Sequence, residues 1–200
     1  MRRLLRKHRY WLAPGALFTL AALCFLLSGP GRAVTAAAID RQLPIYCVQK
    51  DSKVISVSFD AAWGNEDTQN LIDVLGQYGV KATFFVVKQW ADKYPESVSA
   101  LHEAGHEVMN HSSTHPYFTK LTRQQMIDEV TACDDRIEAI TGVRPVLFRP
   151  PYGDYNDAVI DTLRSIGHYP IQWDVEASAA SSGALIQRGL DRCTEGAHLL

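Results

Sequence analysis

The chain predicts an α/β barrel, parallel strands joined by crossover helices, preceded by one N-terminal apolar helix. Three observations carry this. Strand-like and helix-like stretches alternate from residue 54 to the end, and such alternation yields parallel strands with crossover helices. No glycine-rich loop follows the first strand, which disfavours an open nucleotide-binding sheet and leaves the barrel. Finally, a basic start runs into a long uncharged apolar stretch.

That start holds Arg2, Arg3, Arg6, Lys7 and Arg9, and no charged residue follows from Tyr10 to Gly31. A basic cluster before an apolar run such as Trp11 to Leu27 marks a signal peptide or an uncleaved signal anchor. The positive-inside tendency keeps the first residues cytoplasmic and exports the rest. The expected location is therefore the cell membrane, single-pass with the domain outside, or secretion if the segment is cleaved near Ala36-Ala37-Ala38. The net charge is −2, and the five basic residues contribute +5, so the remainder carries −7. An acidic body argues against a nucleic-acid partner. With 200 residues, 46% of them apolar, the expected organisation is residues 1–31 as anchor, 32–51 as tether with Pro44, and 52–200 as one domain. Outside the apolar run stand Cys47, Cys133 and Cys193, with no C-x-x-C pair. One bridge with a leftover thiol, or three separate thiols, both fit.

Val54 to Phe59 alternates and is β-branched, which predicts the first strand. Asn65 is placed to cap a helix from Glu66 to Tyr78, ended by Gly79. Ala82 to Val87 is continuously apolar, as in a parallel strand buried on two sides. A helix from Pro95 to Ala104 ends at Gly105, and Glu107-Val108-Met109 forms the third strand. Thr122 caps the longest helix, which stops at Gly142. Val146 to Phe148 is the fourth strand, Asn156 to Ile166 a helix closed by Gly167, and Tyr169 to Trp173 the fifth strand. A further helix (184–192) and a sixth strand from Ala197 complete the pattern.

In α/β barrels chemistry sits at the C-terminal ends of the strands. Those ends carry Asp60, His111, Arg149 and Asp174. His115 stands four residues after His111, and a single helical turn would bring both rings to one point, as a cation site needs. The competing reading is two unrelated surface histidines. Ser112 stands where the metalloprotease helix pattern needs a glutamate, so that pattern does not apply. Asp60 and Arg149 describe either a rim salt bridge or a base held ionised by a fixed cation. Arg149-Pro150-Pro151-Tyr152-Gly153 is a stiff loop, able to hold a backbone N–H in place, or an ordinary strand-to-helix turn.

Ser58-Phe59-Asp60, His111-Ser112-Ser113-Thr114-His115-Pro116 and Arg149-Pro150-Pro151-Tyr152-Gly153 resemble the first three motifs of the polysaccharide deacetylases, the NodB-homology group or carbohydrate esterase family 4. The resemblance covers about three quarters of the chain, from residue 52 on. Phe59-Asp60-Ala61-Ala62-Trp63-Gly64 and the membrane-proximal layout are similar to the sporulation-associated branch of Gram-positive bacteria. The resemblance implies a deformed (β/α) barrel and a hydrolase of linear amide C–N bonds. Its substrate would be the N-acetyl group of amino sugars in peptidoglycan or chitin-like polymers. It implies that His111 and His115 hold a divalent metal, zinc or cobalt. By the same analogy Asp60 is the base, Arg149 keeps it placed, and the N–H of Tyr152 stabilises the oxyanion.

Three positions depart from the family pattern. Ala61 stands where the third metal ligand is usual, leaving Glu66 and Asp67 as the nearest carboxylates, or simply as acids in a helix's first turn. Glu176-Ala177-Ser178-Ala179-Ala180 lacks the fourth motif's second acid and tryptophan, with Asp174 as a stand-in. The general-acid histidine is absent up to Leu200 and His198 is a poor substitute, so the barrel is expected to be truncated at its C-terminal end. These departures keep open a degenerate domain that binds glycan without turning it over, and an envelope or sporulation protein of mainly structural role.

Overall fold

A computed structural model describes residues 41–51 and 54–174. The expected anchor, the helix at 184–192, the sixth strand, Glu176, His198, Cys24 and Cys193 lie outside the described residues. Among the described residues no helix is long and apolar enough to cross a membrane.

Five parallel strands form one sheet in sequence order: β1 (Ser58–Ala61), β2 (Thr83–Val86), β3 (Glu107–Asn110), β4 (Leu147–Phe148) and β5 (Tyr169–Pro170). Register places Phe59 beside Phe84, Phe84 beside Val108, and Asn110 beside Phe148. All of their C-terminal ends therefore lie along one edge. Each crossover is helical: α1 (Thr68–Gln77), the pair α2 (Lys88–Lys93) and α3 (Pro95–Glu103), α4 (Arg123–Thr141) and α5 (Asp157–Ser165).

Strand alternation divides the core. Phe84, Val86 and Val108 pack with Val98, Leu101, Cys133 and Ile137 beneath the helices. Phe85 and Met109 point to the opposite face, where Ile171 joins them. A further cluster of Phe118, Met126, Val130, Phe148, Val159 and Leu163 seats α4 and α5. Burying such side chains contributes about 1.5–3 kcal/mol each.

Helix α4 ends where expected. Thr122 and Gln125 form a reciprocal capping box, and Gly142 takes the left-handed conformation (φ 74°) that stops the helix. Elsewhere the structure corrects the expectation. The first strand begins at Ser58, because β2 starts at Thr83 and offers Val54 to Ser56 no partner. Helix α1 starts at Thr68 behind Asp67, and the Asn65 side chain donates to Ser97 Oγ (3.1 Å) instead of capping. Helix α2 was not expected. The stretch 41–46 lies along β5: Ile45 forms a parallel bridge with Ile171, and the Tyr46 and Tyr155 hydroxyls meet at 2.8 Å. Cys47 is exposed and Cys133 buried, both as free thiols.

Candidate active site

Asp60 emerges from the end of β1 with its side chain about a third exposed (36%). Arg149, at the end of β4, is buried (3% exposed) with its guanidinium over the Phe85 ring at 4.0 Å. It spends its fork on two acceptors of β1: Nη1 donates to Asp60 Oδ1 (2.8 Å) and Nη2 to Ser58 Oγ (2.7 Å). One arm thus fixes one carboxylate oxygen while Ser58 holds the other arm in place. The second carboxylate oxygen, Oδ2, lies 3.8 Å from His111 Nε2.

His111 is buried, and its Nδ1 lies 2.7 Å from the Arg149 carbonyl. A carbonyl only accepts, so Nδ1 carries the proton and the Nε2 lone pair faces Asp60. The His115 ring meets His111 with centroids 5.0 Å apart. The rings converge without the helical turn expected from their spacing. Ser112 (φ 75°) and His115 (φ 59°) are left-handed, so the segment folds as a tight irregular turn. Burial pushes both imidazoles below the usual histidine value, with the Asp60 charge opposing the shift. Both are therefore neutral near pH 7 and available as ligands.

Tyr152 also reaches this rim. Its backbone is left-handed (φ 60°), and its ring lies 4.5 Å from His115 and stacks on Tyr117 at 4.2 Å. The Trp63 ring meets His115 edge-on at 5.0 Å. Asp60, Arg149, His111, His115 and Tyr152 thus all gather at one end of the sheet. Asp174 follows β5 and is exposed. Glu66 and Asp67 line a cavity of about 260 Å³ beside Asp60, Trp63 and Trp90. Among the described residues, however, no group of three or more His, Cys, Asp or Glu assembles as a ligand set. The two acids are thus not brought in as a third ligand. Two imidazoles remain, one with its free lone pair oriented and the other with a buried Nδ1 that has no hydrogen-bond partner among the described residues. Such a donor pair fits a divalent cation whose other positions are filled by oxygen donors.

Sequence reasoning missed the supports of these groups. Ser58 holds Arg149. Asn110 Oδ1 accepts the Ser112 N–H (2.7 Å), and its Nδ2 donates to buried Asp134 on α4 (2.7 Å). Glu129, also on α4, holds the turn between the histidines. Asn110, directly before His111 at the end of a strand, was the readable signal; the helix acids carried none.

Residues 48–171 match the family model described as polysaccharide deacetylase. The chain belongs to the polysaccharide deacetylase family. Its described sheet is that family's α/β fold. It is 31% identical over 160 residues to the Bacillus subtilis (strain 168) protein YlxY, covering 78% of this chain and 50% of that protein. It is 38% identical over 130 residues to the peptidoglycan-N-acetylmuramic acid deacetylase PdaC of the same organism, covering 64% of this chain and 27% of PdaC. The chain thus spans half or less of these relatives' length. Among solved structures it is similar to BA3943 of Bacillus anthracis, a family 4 pseudoenzyme, at 29% identity and a TM-score of 0.72, covering 78% of this chain and 57% of that one. A mutant of BA3943 has restored enzymatic activity.

Proposed function

We propose that this polysaccharide deacetylase is a metal-dependent hydrolase that removes N-acetyl groups from the amino sugars of peptidoglycan. The observation that carries the reading is Asp60, with one oxygen fixed by Arg149 and the other aimed at the free Nε2 of His111. A carboxylate oriented this way between a fixed cation and two neutral imidazoles has the form of a general base beside a cation site. When bound by His111 and His115, a divalent cation, zinc or cobalt, supplies Lewis-acid polarisation of the acetamide carbonyl. Asp60 takes the proton of the attacking water as its oxygen adds to the carbonyl carbon. Arg149 keeps Asp60 aimed. The Tyr152 N–H, in its stiff loop, donates to the oxyanion that forms. The C–N bond then breaks as Asp60 passes the proton it took from water to the leaving nitrogen, giving acetate and the free amine. The similarity to PdaC supports peptidoglycan as the polymer.

The wider layout belongs to the same proposal. Residues 1–31 anchor the chain in the membrane or serve as its signal, and the domain from residue 52, a (β/α) barrel of the NodB type, works outside. Phe59-Asp60-Ala61-Ala62-Trp63-Gly64 supports a sporulation-type role. A second reading, a domain that binds glycan without turnover, is favoured by Ala61 and by the similarity to the pseudoenzyme BA3943.

Acetate release by the full chain from peptidoglycan and N-acetylglucosamine oligomers, with zinc present, separates the two. Release is expected, falling about 10²–10⁴-fold in Asp60→Asn and lost in His111→Ala with His115→Ala. Glycan binding with no acetate from the unaltered chain would establish the second reading.

A further inference from the structure

The turn that carries both histidines is costly. Ser112 and His115 each adopt a left-handed backbone without being glycine, and such strained residues persist only where their surroundings over-determine them. One side chain meets most of that need. Glu129 Oε2 accepts the successive N–H groups of Ser113 (2.9 Å) and Thr114 (2.8 Å), and Oε1 accepts the Thr114 hydroxyl (2.7 Å). The Glu129 carbonyl accepts from Ser113 Oγ (2.8 Å). All four bonds fall on the two residues midway between His111 and His115. The Ser112 hydroxyl accepts the His115 N–H (3.0 Å).

We propose that Glu129 is a positioning residue: through hydrogen bonds to the Ser113 and Thr114 amides it sets the spacing and facing of the His111 and His115 imidazoles. As a holder of metal ligands it rests on the metal-dependent reading above; as a holder of the turn it does not. Glu129→Ala removes three acceptor contacts. Glu129→Gln keeps a carbonyl where both amides converge, and places an NH₂ beside a hydroxyl that also accepts.

Two measurements on the full chain test this: zinc affinity by competition with a chelator, and amide hydrogen exchange at residues 112–115 in the metal-free protein. In Glu129→Ala, zinc binding is expected to weaken about 10–100-fold, as for other supports of metal ligands. Exchange at the Ser113 and Thr114 amides should rise about tenfold or more, with the thermal midpoint of the metal-free chain close to that of Asp128→Ala, a neighbouring helix acid away from the turn. Glu129→Gln should restore both readouts. Unchanged exchange in Glu129→Ala overturns the proposal, as does a Glu129→Gln variant no better than Ala. Failure of the unaltered chain to bind zinc, with the exchange pattern as expected, would sink the metal reading and leave the role of Glu129 standing.

Discussion

The fork of Arg149 shows how narrow the tolerances of the site are. Its two terminal nitrogens reach Asp60 and Ser58 at the same time, which a lysine's single ammonium cannot reproduce. Arg149→Lys is therefore expected to lower kcat for acetate release on the order of 10²-fold, the cost of about 1 Å of misplacement, with KM little changed. A larger rise in KM than fall in kcat would contradict this. His106 offers a stability test remote from the chemistry. It is buried, its Nδ1 accepts the Ala82 N–H at 3.2 Å, and its ring packs edge-on to Phe84. Burial, helped by the Lys81 charge, pushes the imidazole below its ordinary value of 6.5. The unfolded chain takes up this proton near that ordinary value while the folded chain resists it. The contribution to stability is thus full above pH 6.5 and is lost as pH falls below it. Replacing His106 with Asn should flatten that slope in urea titrations between pH 7 and 5; an unchanged slope would remove His106 as its source. Asp60, His111 and Arg149 could be read from the chain because each sits at a strand end, and His115 because it follows His111 by four residues. Their supports could not, since an acid such as Glu129 on a helix looks the same whether it meets solvent or a turn.

Among the elements, α4 was the most legible, because both of its ends are written in local chemistry. Thr122→Ala breaks the capping box and should cost about 1 kcal/mol, seen as a lower thermal midpoint; no shift would mean that packing alone sets that helix end. Helix α2 was illegible for the converse reason. Val87 precedes it without a side-chain cap, its six residues are too few to show a period, and Trp90 and Ala91 hold it by tertiary burial. Convergence of the histidines was read correctly and its cause was not. A four-residue spacing suggests a helical turn, but Asn110, Ser112 and Glu129 supply the bonds of a tight irregular one. Long-range partners decide such turns, and one-dimensional spacing does not contain them.

For the molecule as a whole, alternation was enough to predict parallel strands joined by crossover helices, and the described sheet has both. What alternation could not show is the strip at residues 41–46. Ile45 uses both backbone groups on β5, donating to the Pro170 carbonyl and accepting from the Gln172 N–H, each at 2.8 Å. Ile45→Pro deletes the donor and leaves a buried carbonyl short of a partner, so a loss of about 1–3 kcal/mol is expected in chemical denaturation. No loss would show the strip to be incidental. Its place also sets an order of events. Each strand pairs with the one made just before it, so the sheet can grow by short steps as the chain lengthens. The strip cannot join in this way: Gln42 waits for Asp157, 115 positions later. The first described stretch of the domain thus docks only once the fifth strand is in place.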